Sequence, residues 1–497
     1  MKISKQTIGQ ITPRVALEIP KPASFDLPER IIQFGTGVLL RGLPDYFVDK
    51  ANKQGLFNGR IVMVKSTDQG DIKVFEGQDG IYTLCVRGME GEQKVEQFLL
   101  VNAVSRVLSA REDWGEVIKC AFNEDLQIVI SNTTEVGIQL SDDDITSIPP
   151  ASFPGKLLAF LYARYLAFDG DQTKGMVIIP TELLTDNGDK LKGILLELAK
   201  FNQLSESFVG WLNTANTFCN SLVDRIVPGS LPERERTALE NALGYEDDLL
   251  ISAESYRLWA IETPDQKVNE ILSFSPADKG VVLADDITKH RELKLRLLNG
   301  THTFSCALAY LSGFDTVGQA MDDQGTSGFI QRLMMDEIAP AIASDTLSLE
   351  EARSFAAKIL DRFRNPYIIH RWLSIATQYS SKMKMRNIPI LLAHYQKSTQ
   401  PPEAMSAGLA AYILFMCSTK ETDGTYKGTY GEKGYTIKDD SAGILFDWWG
   451  KFPDNPVSAI LSDTRLWDTD LTLLPGLVGA VEAKMQEWMK RYRMASS

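Results

Sequence analysis

The chain changes its hydrophobic period near its middle. In the first half, short apolar and β-branched runs recur. They are the opening of ERIIQFGTGVLLRGLPDYF, Arg60–Lys65 (RIVMVK), Leu126–Ser131 (LQIVIS), Met176–Pro180 (MVIIP) and Gly280–Ala284 (GVVLA), separated by helical stretches such as Gly155–Phe168. Runs this short and this continuously apolar predict parallel strands covered on both faces, and their alternation with helices predicts an α/β sheet. From about Asp286 onward the period is that of long helices, with few strand-like runs. The pattern predicts an α/β domain over residues 1–285 and a mainly α-helical domain over 286–497. In the second, Asn365-Pro366 predicts the cap and first residue of a helix, and Thr419–Asp440, rich in Gly, Thr, Tyr and charge, predicts a long surface excursion.

Polar residues interrupt the apolar pattern at informative places. Arg291–Phe314 sets Lys294, Asn299 and His302 into a run whose buried side is supplied by Leu293, Leu297, Phe304, Leu308 and Leu311. At α-helical pitch, Asn299 lies about 140° and His302 about 80° round the axis from Lys294, so an amine, an amide and an imidazole line one wall. Gly300, costly inside a helix, predicts a close approach of backbone or ligand. In the first half, the first strand turns through Gly35 and Gly37 into a helix predicted from Arg41. Strand, glycine turn and helix N-terminus are the parts of a dinucleotide site. The second strand ends in Lys65 with Asp68 three residues later, at about the distance expected of the ribose-binding residue, where an acid at the tip selects NAD and a cation NADP, and Asn132 follows the strand ending at Ser131. These features predict a Rossmann-like dinucleotide-binding domain.

Composition bounds the function. A length of 497 residues supports two domains, and 44% hydrophobic with 24% charged residues describes a globular protein. No apolar run approaches 18 residues and no export signal is seen, which predicts a cytoplasmic protein without a membrane span. Five dispersed cysteines without a CxxC pair argue against disulfides and a zinc site. A net charge of −13 argues against nucleic acid as a partner, and means that an acidic substrate needs locally gathered cations.

The spacing K-x4-N-x2-H, followed by a small-residue and apolar helix, resembles the signature of the mannitol dehydrogenase family, long-chain metal-independent polyol and sugar-acid dehydrogenases. The resemblance implies that Lys294 is the general acid/base, that Asn299 polarises the substrate oxygen and that His302 hydrogen-bonds the same region. It implies a second oxyanion-binding asparagine in a C-D-N-x-x-x-N-G stretch, where Asn187 and Gly188 match and Thr181-Glu182-Leu183 replace C-D-N. The family's S-x-V-D-R-I block is matched by Asp224 and Arg225 at the substrate, and its S-S-K motif by Lys382 at the distal end. Family members commonly carry an aromatic shortly before the loop arginine; Arg41 is kept here, preceded by Leu39 and Leu40. Polyol enzymes carry Arg eight residues before the S-S-K lysine. This chain has Ser374, which, with further blocks such as RFRNPYI, places it on the uronate branch. The implied reaction is reversible hydride transfer between NADH and the keto group of a hexuronate to give an aldonate, with NADP not excluded. Lys382, Arg364, Arg225 and Lys294 are the candidate cations for the carboxylate. The rival readings are a polyol dehydrogenase, a reductase of another keto-uronate, and a nucleotide-sensing protein without turnover.

Overall fold

The computed structural model describes residues 1–66, 72–91, 93–133, 137–263, 265–430 and 433–495. It divides into two compact units, residues 1–88 with 94–287 and residues 89–93 with 288–497.

The first unit is built on six strands: Glu29–Phe34 (β1), Arg60–Lys65 (β2), Val104–Ser109 (β3), Ile128–Ser131 (β4), Val177–Pro180 (β5) and Thr217–Phe218 (β6). All pair in parallel, in the order β3-β2-β1-β4-β5-β6. This is the order of the doubly wound dinucleotide-binding sheet. Successive side chains feed different cores. Ile31, Met63, Ile130 and Ile179 enter one, whereas Ile32, Val62, Val129 and Ile178 enter the other. Burial on both faces explains why the strands read as unbroken apolar runs. Helices Phe153–Ala167 and Asn187–Phe201 back the second core.

The chain leaves β1 into Val38–Gly42 (α1), breaks at Leu43, and resumes as Pro44–Lys53 (α2). The helix therefore begins three residues before the expected Arg41, and the break reflects Pro44, which disfavours helical geometry in the residue before it. Val281–Ala284 is a strand, but it does not extend the main sheet. It pairs in parallel with Leu258–Glu262, which pairs antiparallel with Ser221–Asp224. A β-branched run specifies a buried strand without specifying its neighbour.

The second unit is mainly helical. Glu403–Phe415 is buried nearly all round and packs against Thr301–Leu311 and Leu477–Ala495. Gly408 permits the first contact, since a Cβ there would stand 2.9 Å from Phe304 O. Among the described residues three segments are π-helical: Leu293–Gly300, Leu333–Ile338 and Met383–Asn387. Asn365-Pro366 opens a turn rather than a helix, because Asn365 Oδ1 accepts the Tyr367 N–H at 3.1 Å, and the next helix begins at Trp372. The excursion after Thr419 forms three antiparallel strands, Thr419–Lys420, Tyr426–Tyr430 and Lys433–Ile437. Tyr435 anchors it by stacking on Phe415 at 4.4 Å. Four of the five cysteines are buried, and Cys417 is exposed. Among the described residues no helix is long and apolar enough to cross a membrane.

Candidate active site

In the first unit, strand order reverses between β1 and β4, the point beyond whose carboxyl ends open α/β sheets bind ligands. Gly35 makes the turn there with φ +131°, and a Cβ would stand 2.8 Å from Leu40 Cδ1 and 3.0 Å from Asn132 O. No other residue adopts this geometry without strain. Gly37 caps α1, and a Cβ built on it meets nothing within 4 Å, so its missing side chain leaves open space beside the turn. Asn132 Nδ2 donates to Thr181 Oγ1 at 3.0 Å and to Thr181 O at 3.2 Å. The buried Glu182 carboxylate accepts from Ser131 Oγ, Thr133 N and Thr133 Oγ1 at 2.8–3.1 Å. The loops after β4 and β5 are thus fastened together beside an open glycine turn, a setting that fits a pyrophosphate. Asp68 lies outside the described residues.

Three expected site residues of this unit turn inward instead. Arg41 is buried and donates from Nη1 to Leu249 O at 2.7 Å, with its guanidinium 5.4 Å from the Tyr82 ring; burial lowers its pKa. Asn187 is fully buried. Its Nδ2 faces Pro180 O, Glu182 O and Ser221 O at 3.0–3.1 Å, and its Oδ1 accepts Gly188 N at 3.0 Å and Ser221 N at 2.9 Å. Two amide hydrogens shared among three carbonyls leave none for an oxyanion. Arg225 donates to Gly42 O at 2.6 Å and Glu254 O at 2.9 Å and covers the Tyr46 ring at 4.8 Å, and burial pulls its pKa down to about 10. Each satisfies backbone groups that would otherwise be buried unpaired. In this structure each fastens the scaffold, and Arg41 Nε and Arg225 Nη2 have no hydrogen-bond partner among the described residues. Asp224, also buried, ends the strand opposite Leu258.

In the second unit, Lys294 and Asn299 are half-buried on the π-helix Leu293–Gly300, and His302 is buried on the α-helix that continues it. The π geometry revises the expected angles. Bonds close between i and i+5, so residues five apart stack as residues four apart do in an α-helix, bringing Asn299 beneath Lys294. The carbonyls at this distortion are met by side chains: Thr303 Oγ1 donates to Asn299 O at 2.8 Å and Asn387 Nδ2 to Gly300 O at 2.9 Å. The close approach at Gly300 is Ile390, whose Cδ1 would stand 2.9 Å from a Cβ. Among the described residues the Asn299 side-chain amide has no hydrogen-bond partner, and neither has the buried Nε2 of His302. The His302 ring stacks on Phe363 at 4.2 Å and meets His370 edge-on at 4.9 Å. Burial first, then the charges of His370, Arg362 and Arg386, hold His302 well below the usual imidazole pKa.

Lys382 Nζ donates to Ile375 O at 2.8 Å, and burial followed by Arg386 lowers its pKa. Arg364 is 42% exposed, with Nη1 3.9 Å from Asp361 Oδ1. Ser374 lines a cavity of about 610 Å³ together with Thr377, Lys427, Tyr435 and Lys438. His370 and Arg386 also lie near the His302 ring and Thr303, and neither was among the expected site residues. Their signal was a histidine and a run of basic residues flanking the S-S-K motif in a chain with four histidines.

The chain matches the model of the mannitol dehydrogenase Rossmann domain over residues 29–272 and that of the mannitol dehydrogenase C-terminal domain over residues 286–489. It is 38% identical to altronate oxidoreductase of Bacillus subtilis (strain 168), covering 94% of this chain and 95% of that protein. It is also 38% identical to altronate oxidoreductase of Klebsiella pneumoniae (strain 342), covering 93% and 95%. Among solved structures, D-sorbitol dehydrogenase in substrate-free form matches with TM-score 0.74 at 20% identity, covering 99% of each chain. Mannitol 2-dehydrogenase of Pseudomonas fluorescens, in ternary complex with NAD and D-mannitol, matches with TM-score 0.66 at 21% identity, covering 100% of this chain and 98% of that one.

Proposed function

The chain belongs to the mannitol dehydrogenase family, oxidoreductases acting on CH–OH groups, and on that premise we propose that it interconverts D-tagaturonate and D-altronate with NADH and NAD. The observation that carries the reading is the end-to-end similarity to altronate oxidoreductases of a chain that keeps Lys294, Asn299 and His302 on one continuous run. Ser374, where polyol enzymes have Arg, supports a sugar acid over a polyol.

Gly35, Gly37 and Asn132 would hold the dinucleotide, whose dihydronicotinamide supplies the hydride when bound. The keto oxygen gains negative charge as it is reduced. Lys294 donates a proton to that oxygen from Nζ and takes it back in the oxidation direction. The Asn299 amide, with no competing partner among the described residues, donates a hydrogen bond to the same atom. A cationic acid and an oriented amide both favour the charged transition state over the ketone. His302, neutral because it is buried, offers Nε2 to a substrate hydroxyl or to the oxygen itself. Initial rates with tagaturonate, fructuronate and fructose, each with NADH and NADPH, test the proposal. The expected result is the highest rate with tagaturonate and NADH. A preference for fructose overturns the sugar-acid assignment.

A further inference from the structure

Two of the π-helices meet where Lys294 and Asn299 are placed, and they exchange hydrogen bonds. Such segments are rare and recur at functional sites, so eight residues of one call for a cause outside the segment itself. Leu293–Gly300 carries Lys294 and Asn299, and Met383–Asn387 packs against it. Arg296 of the first donates from Nη1 to Met385 O at 2.8 Å and to Arg386 O at 3.0 Å in the second. Asn387, the last residue of the second, donates from Nδ2 to Gly300 O, the last carbonyl of the first, at 2.9 Å. The approach is close because Gly300 has no side chain: a Cβ there would stand 2.9 Å from Ile390 Cδ1. Thr303 Oγ1, which donates to Asn299 O at 2.8 Å, makes only the bond to residue i−4 that threonine makes in ordinary helices. The bond from Asn387 spans 87 residues of sequence and has no such local explanation. Asn387 is fully buried, yet its Oδ1 has no partner among the described residues. A buried acceptor left unmet is destabilising, and an apolar side chain of similar shape would avoid it. Packing therefore does not account for an asparagine here, whereas the bond to Gly300 O does.

We infer that Asn387 is a positioning residue for the reaction: by holding Gly300 O it keeps Leu293–Gly300 π-helical, and so keeps the Asn299 amide beneath Lys294. In an α-helix residues five apart stand about 140° apart round the axis, and the amide would turn away from the oxygen that Lys294 protonates. The inference rests on the roles proposed above for Lys294 and Asn299 and names the contact that sets their alignment.

The test is Asn387→Leu in the full-length protein, a change that keeps most of the volume and removes both polar atoms. NADH oxidation by D-tagaturonate, NADH affinity, thermal unfolding and a crystal structure of the variant are measured together. The kcat should fall about 10–100-fold, because a misplaced oxyanion donor forfeits part of what its removal costs. NADH affinity and KM for tagaturonate should stay within about twofold of wild type, the split expected when an interaction made in the transition state is lost. The melting temperature should hold within about 2 °C, since the unmet Oδ1 disappears with the bond. Residues 293–300 should be α-helical in the variant. A lower melting temperature with unchanged turnover per folded molecule shows a merely structural asparagine and overturns the inference. Should Asn387→Leu fail to fold, Asn387→Ala removes the same bond without added bulk and decides by the same comparison. Wild-type turnover separates the inference from the reading it rests on. Turnover in wild type with unchanged kcat in the variant overturns the positioning role and spares the reaction. If wild type reduces none of the keto sugars, the reaction falls, and the hold of Asn387 on the helix is decided by the variant structure: an α-helical 293–300 supports it, and a retained π-helix overturns it in either case.

Discussion

Asn187→Ala separates a scaffold role from a catalytic one. The side chain is fully buried and joins the turn after β5 to Ser221 through three carbonyls and two N–H groups. Not all of these would be stranded by its loss. Gly188 N keeps Asn220 Oδ1 at 3.0 Å, and Pro180 O keeps Ser221 Oγ at 2.5 Å. Glu182 O keeps Leu184 N at 2.7 Å, so Ser221 N and Ser221 O are the groups that lose their partner, and at about 1–3 kcal/mol for each buried group left unmet the total comes to roughly 2–6 kcal/mol. For a unit of this size that lowers the melting temperature by about 4–12 °C. Thermal unfolding gives the loss directly, and NADH-dependent turnover per folded molecule should stay within about fivefold of wild type, below what removal of an oxyanion donor costs. A melting temperature within 1–2 °C of wild type, with turnover down about a hundredfold or more, would show that Asn187 holds the reacting oxygen and refute the scaffold assignment.

The glycine turn makes a paired prediction. Gly35→Ala must place a Cβ 3.0 Å from Asn132 O at φ +131°, so it should destabilise the first unit by about 1–3 kcal/mol and weaken NADH binding. Gly37→Ala meets no protein atom, so fluorescence titration should show weaker NADH binding with an unchanged melting temperature; unchanged affinity would move the dinucleotide away from this turn. Asp45 bears on pH. Burial, against the opposing pull of Arg41, raises its carboxyl from 3.8 to about 8, so the folded state holds the proton more tightly than the unfolded chain. The stability tied to Asp45 is therefore full at acid pH and declines as pH rises towards 8, by at most about 1.4 kcal/mol per unit. Asp45→Asn should flatten the fall in melting temperature between about pH 4 and pH 8, and identical slopes in variant and wild type would contradict this.

β1, β2, β4 and β5 were legible because burial on both faces leaves its mark in every residue, whereas β3, interrupted by Ser105 and the exposed Arg106, and β6, two half-buried residues long, were not. Their partners were not, and Val281–Ala284 pairs outside the main sheet although its composition matches β4 and β5. Lys294, Asn299 and His302 stood out as polar residues in an apolar run. The π-helical turn that aligns the first two was invisible, since eight residues of either helix type show nearly the same apolar spacing. Arg41, Asn187 and Arg225 are site-like residue types placed near the right strands, yet each donates to backbone carbonyls that only the folded chain brings to it, Asn187 with its whole amide and the two arginines with part of their guanidinium groups. Conversely, nothing in the spacing announces that the π-helix Met383–Asn387 packs against that of Lys294, with Arg296 Nη1 donating to Met385 O at 2.8 Å and Arg386 O at 3.0 Å. Sequence shows which residues are polar in apolar surroundings, and packing decides which of them still have a bond to offer.

The claim on which the rest depends is that Lys294 transfers the proton. It is tested by a single measurement, the rate of NADH oxidation by Lys294→Met under saturating D-tagaturonate, with NADH affinity determined on the same preparation. Removal of a general acid lowers the rate by about 10²–10⁴, while the dinucleotide, assigned to residues of the other unit, should bind within about twofold of wild type. A variant that oxidises NADH at close to the wild-type rate contradicts the account.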